Sequence, residues 1–88
     1  MIKANTGTSE EAKKYAVLES RIKIGATIRS IREKRGLSQE QLAEKMNISR
    51  STISKIESGK FNCSIDYLSK FAAFLNFEII LQDSWQKP

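Results

Sequence analysis

At 88 residues and 10.0 kDa the chain is long enough for one small domain with a modest core. With no histidine and a single cysteine, Cys63, it can form no intrachain disulfide and lacks the commonest metal ligand and general base, which excludes zinc sites, catalytic triads and most enzyme chemistry. The net charge of +5 sits at the front, residues 1–36 carrying +5 and residues 61–88 carrying −1, an asymmetry that suits a polyanion, nucleic acid before an anionic membrane.

Residues 1–8 show no periodicity and read as a loose tail. Thr8 and Glu11 fit a capping box, so a helix should begin near Ser9. Tyr15, Leu18 and Ile22 then recur at helical spacing, and Ile24, Ile28 and Ile31 form a second stripe. Gly25 disfavours a helix interior by about 1 kcal/mol relative to alanine. The stretch is therefore either one long helix or two that bend near Lys23–Gly25. Gly36, after Lys34 and Arg35, is a stop signal.

Ser38 is placed to cap the next helix, with Gln41 as its reciprocal partner and Leu42, Ala43 and Met46 as its apolar face. Asn47-Ile48-Ser49 follows: asparagine tolerates a left-handed backbone, and serine suits the start of another helix. In that helix Ile53 and Ile56 form one narrow buried stripe, and Ser58-Gly59 ends it. Ser64 caps a last helix lined by Ile65, Leu68, Phe71, Ala72 and Leu75. After Asn76 the period changes to two, with Phe77, Ile79 and Leu81 on one side, which predicts a strand over residues 77–82. Residues 83–88 are a polar tail holding Trp85. No apolar run is long enough to span a membrane and no secretory leader is visible, so a cytoplasmic location in a reducing compartment is expected.

Two short capped helices joined by a three-residue turn describe a helix-turn-helix. The second exposes Arg50, Ser51, Thr52, Ser54 and Lys55, with no acid before Glu57. A helix used only for packing would intersperse glutamate with lysine; this surface offers donors suited to base edges and phosphates in a major groove. The candidate DNA-binding residues are Ser38, Gln39, Ser49, Arg50, Ser51, Thr52, Ser54, Lys55 and Lys60. Gln39 can also serve as a local cap partner, and Glu57 is better suited to holding a helix start or pairing with an arginine such as Arg32. Cys63 reads as a small loop or core residue, and Trp85 as either a packing residue or a partner contact.

Leu37-Ser38-Gln39-Glu40-Gln41-Leu42-Ala43-Glu44-Lys45-Met46, then Asn47-Ile48-Ser49, then Arg50 to Gly59, resembles the Xre/Cro class of helix-turn-helix repressors. The resemblance covers about residues 22–76. It departs at Asn47, where glycine is usual, and at Cys63, where proline often precedes the last helix. It implies an all-α, lambda-repressor-like bundle of four to five helices, here with one added C-terminal β-strand, binding double-stranded operator DNA. The leading helix and the strand are similar to small antitoxins of the HigA and HipB kind, which implies a toxin partner. A stand-alone regulator, or an interaction module without DNA binding, remains the alternative.

One strand cannot satisfy its own backbone groups, and no other segment has a strand period. A homodimer paired through residues 77–82, burying Phe77, Ile79 and Leu81, is therefore expected. The domain plan is thus a 1–8 tail, a 9–76 helical domain, a 77–82 dimerisation strand and an 83–88 tail, with no cofactor, metal or membrane contact assigned.

Overall fold

Both apolar stripes of the front half fall on one helix. In a computed structural model that describes residues 10–83 and 85, α1 runs unbroken over Glu10–Lys34. Glu10 and Glu11 sit in its first turn and Arg32 and Lys34 in its last, each sign opposing the helix dipole. Thr8 and Ser9, the expected start, lie outside the described residues, as do the 1–8 tail and most of the 83–88 tail. Gly25 marks a crossing point and not a hinge. A β-carbon there would stand 2.7 Å from the Glu57 carbonyl oxygen and closer still to that of Ile56.

Three shorter helices follow: α2 (Gln39–Met46), α3 (Arg50–Glu57) and α4 (Ile65–Leu75). Ser38, Ser49 and Ser64 cap their starts as the sequence predicts. All four helices end alike, on a left-handed residue: Gly36, Asn47, Gly59 and Asn76. In each case the next N–H reaches back five residues: Leu37 to the Arg32 carbonyl (3.2 Å), Ile48 to Ala43 (3.0 Å), Lys60 to Lys55 (2.9 Å) and Phe77 to Ala72 (3.1 Å). This closure satisfies carbonyls that a helix end would otherwise orphan.

Helix α3 lies across α1 and α2, and α4 packs on α2 and α1. Ile28, Leu42, Ala43, Met46, Ile53, Ile56, Phe71 and Leu75 form the core, with Ile31, Leu37, Ile48, Cys63, Tyr67, Leu68 and Phe77 half-buried around it. Arg35, the residue after α1, donates from Nε to the Leu75 carbonyl (2.8 Å) and from Nη2 to that of Asn76 (3.1 Å), tying the end of the first helix to the end of the last.

The C-terminal strand is absent: among the described residues the chain is all-helical, and residues 77–83 have no regular secondary structure. The expected apolar face is not a core face either. Phe77 tucks against the core, but Ile79 and Leu81 do not follow it, and Leu81 is 96% exposed. A lone extended segment has no ladder partner within one chain, and the Asn76 turn serves to dock Phe77. Ile65 also departs from expectation; in the first turn of α4 it faces solvent. Among the described residues no helix is long and apolar enough to cross a membrane.

Candidate nucleic-acid interface

The geometry of the site begins with its caps. Ser38 accepts the Gln41 N–H on Oγ (3.0 Å) while Gln41 Oε1 accepts the Ser38 N–H (2.8 Å), a complete capping box that fixes the start of α2. Asn47 then adopts φ 57°, ψ 46°, turning the chain so that Ser49 can cap α3 through the Thr52 N–H (3.1 Å). The Ser49 and Thr52 hydroxyls also bond each other at 2.8 Å, so both of these candidate DNA contacts have a structural partner. Ile53 and Ile56 are fully buried, which leaves Arg50, Ser51, Ser54 and Lys55 outward on one exposed face of α3. Ser38 and Lys60 are exposed at its two flanks, and Gln39 is half-buried beside it.

Glu57 closes α3 and is 8% exposed. Its carboxylate accepts a forked pair of hydrogen bonds from Arg32, Nε to Oε2 at 2.6 Å and Nη2 to Oε1 at 3.1 Å. Arg32 Nη1 donates to the Leu37 carbonyl (2.7 Å), so the buried guanidinium is well satisfied. The hydrogen bonds that Arg32 donates to Glu57 hold it above the ordinary guanidinium value even though burial opposes it. Of the two roles expected of Glu57, holding a helix start or pairing with an arginine, the pairing with Arg32 is present. Gln39 in the first turn of α2 adds a third hydrogen bond to the carboxylate, its Nε2 donating to Oε1 at 3.0 Å.

This link was not legible in the sequence. The burial of Glu57 has a signal, because it lies four positions after Ile53 on the same helical face; nothing in the local pattern marks Gln39 as its partner. One consequence is electrostatic. The acid of α3 is neutralised inside the protein, and its exposed face carries only cations and short hydroxyls. Such a surface can donate to phosphates and to the major-groove edges of bases. Elsewhere, Cys63 is half-buried against the core, and burial pushes its thiol up, away from reactive thiolate chemistry. Among the described residues no cluster could hold a metal ion.

Comparison with known proteins places this geometry in company. The sequence profile of a helix-turn-helix family matches residues 28–81. An immunity repressor protein of Bacillus phage phi105 is 41% identical over 56 residues, a match covering 64% of this chain and 39% of the repressor. An HTH-type transcriptional regulator of Archaeoglobus fulgidus is 42% identical over 52 residues, covering 59% of this chain and 74% of that one. Among solved structures, the restriction-modification controller protein C.AhdI from Aeromonas hydrophila superposes with a TM-score of 0.64 at 35% identity, over 68% of this chain and 91% of that one.

Proposed function

The chain belongs to this helix-turn-helix family, and from that membership we propose that it is a sequence-specific DNA-binding transcriptional repressor. The observation that supports this reading is the α3 surface: Arg50, Ser51, Ser54 and Lys55 stand outward while the one acid of the helix is buried on Arg32. Arg50 reads a base edge, Gln39, Ser38 and Ser51 hold flanking phosphates, and Lys60 clamps the backbone just beyond the helix. Ser49 and Thr52 contribute chiefly through the cap they share.

Arg50→Ala should cost about 1–3 kcal/mol of operator affinity and relax preference at one base position. Lys60→Ala should weaken all sequences alike and reduce the salt slope by about one unit. Binding titrations on an operator fragment, a mutated operator and random DNA check both. Unchanged affinity and base preference in Arg50→Ala would remove α3 from the recognition role. Absence of any salt-dependent DNA binding would leave an interaction module.

A homodimer suits this function, because two recognition helices about 34 Å apart meet successive major grooves. A groove of about 310 Å³ supports it, with Ile24, Ile31, Leu68, Phe77 and Ile79 among its walls and Lys23 and Glu78 at its rim. Ile80, part of its wall, and Leu81, the next residue, are 74% and 96% exposed. Across a two-fold axis these knobs would seat in the partner's groove and each Lys23 would meet a Glu78. Sedimentation of Ile80→Asp/Leu81→Asp should show a monomer where the parent chain is a dimer; a parent chain monomeric at high micromolar concentration removes the dimer. An antitoxin role is supported by the exposed apolar residues of α1 alone, and a small toxin-like reading frame adjoining this one is the observation that would carry it.

A further inference from the structure

Helix α1 continues well beyond the bundle. Its buried residues are Gly25, Ile28 and Arg32, and Ile22 makes its contact with the end of α3 beside Gly59. Residues 10–21 contribute no fully buried residue and extend α1 by about 18 Å. The molecule is correspondingly elongated, 46 Å by 24 Å by 21 Å. Single exposed apolar residues need no explanation, but this arm groups them. Val17 and Leu18, 53% and 46% exposed, lie in a shallow groove of about 410 Å³ framed by Lys13, Lys14 and Arg21, with Glu10 at one end.

Arg21 adds a separate observation. Its Nε is shielded from water and has no hydrogen-bond acceptor. A donor in that state is best relieved by an incoming anionic acceptor. The groove thus combines an apolar floor, a surplus of positive charge and one unused donor. Phosphates would leave Val17 and Leu18 without apolar contact. A second copy docked face to face would set Lys13, Lys14 and Arg21 against the same cations.

We propose that the α1 arm docks an acidic amphipathic helix of a partner protein, its apolar residues on Val17 and Leu18 and its carboxylates on Lys13, Lys14 and Arg21. This goes beyond DNA binding and does not depend on it. Helix-in-groove recognition of this kind is anchored by residues at helical spacing, and the flanking charges select the partner.

The test is fluorescence anisotropy on the full chain with a synthetic helical peptide about 20 residues long, carrying leucines on one face and glutamates beside them. A second peptide has lysine for each glutamate. The acidic peptide should bind, with affinity falling as salt rises, and the basic one should not. Lys13→Glu/Lys14→Glu/Arg21→Glu should weaken the acidic peptide at least about tenfold and gain the basic one, with thermal unfolding unchanged because the three sites lie outside the core. No binding of the acidic peptide, equal binding of both peptides, or indifference to the triple variant overturns the proposal. So does a larger loss of operator affinity than of peptide affinity, which makes the arm a DNA contact. Preferential binding of the arm to anionic vesicles overturns it as well, as does a monomeric Val17→Asp/Leu18→Asp variant of a dimeric parent.

Discussion

Gly25→Ala should lower the melting temperature by roughly 8–16 °C, although alanine is the better helix former. Propensity alone would stabilise α1 by about 1 kcal/mol. Against that stands the crossing, where the new methyl would meet the carbonyl oxygens of Ile56 and Glu57. Those atoms belong to backbone and cannot rotate aside. Overpacking of this sort typically costs about 1–3 kcal/mol and here reaches the upper end or beyond, so a net loss of about 2 kcal/mol is expected. The displaced element is α3, so operator affinity should fall with stability. Thermal unfolding followed by circular dichroism decides the matter; a variant as stable as the parent would mean that the helices do not cross this closely.

Glu57→Ala has the larger expected effect. It strands the Arg32 guanidinium, 6% exposed, with the Leu37 carbonyl as its remaining partner. Removing one member of a buried pair costs about 3–5 kcal/mol, a large share of the stability of any small domain. Denaturant titration should show a chain largely unfolded or with its midpoint sharply reduced. Arg32→Met/Glu57→Leu should recover most of the loss, since no charge is then left buried. A single variant that loses less than about 1 kcal/mol would show the pair to be dispensable. The pH dependence has a definite sign. Arg32 is held above its ordinary value, so its contribution is fully present below that value and is lost only as pH rises past it. Neutral and moderately alkaline buffers should leave this part of the stability untouched.

The helical part of the fold was legible because each boundary has its own chemistry. Ser38, Ser49 and Ser64 are caps in the structure as in the sequence, and Gly36, with no β-carbon, and Asn47, with its short polar side chain, take the left-handed conformations these residue types permit. Gly25 could not be read as a crossing, because neighbours 31 and 32 positions away in sequence are invisible to helical periodicity. The strand failed for a related reason. Period two in residues 77–82 records which side chains alternate, not whether another backbone lies alongside, and here Leu81 is among the most exposed residues described. At the interface, residue types and spacing located the exposed face of α3. What they could not show is that Gln39 is already engaged by Glu57, since a hydrogen bond across eighteen positions leaves no local trace.

The Arg35 link between the ends of α1 and α4 joins residues forty positions apart. The helix-turn-helix is therefore the interior of a closed loop, fastened where it leaves α1 and again where α4 ends. Closure entropy grows only slowly with contour length, about 0.6 kcal/mol for each doubling. Extra residues inserted between Lys60 and Ser64 would lengthen the circuit at little thermodynamic cost and leave the registration of α2 on α3 to their own caps and the shared carboxylate. Opening the fastening at Arg35 would act on both termini of the circuit at once.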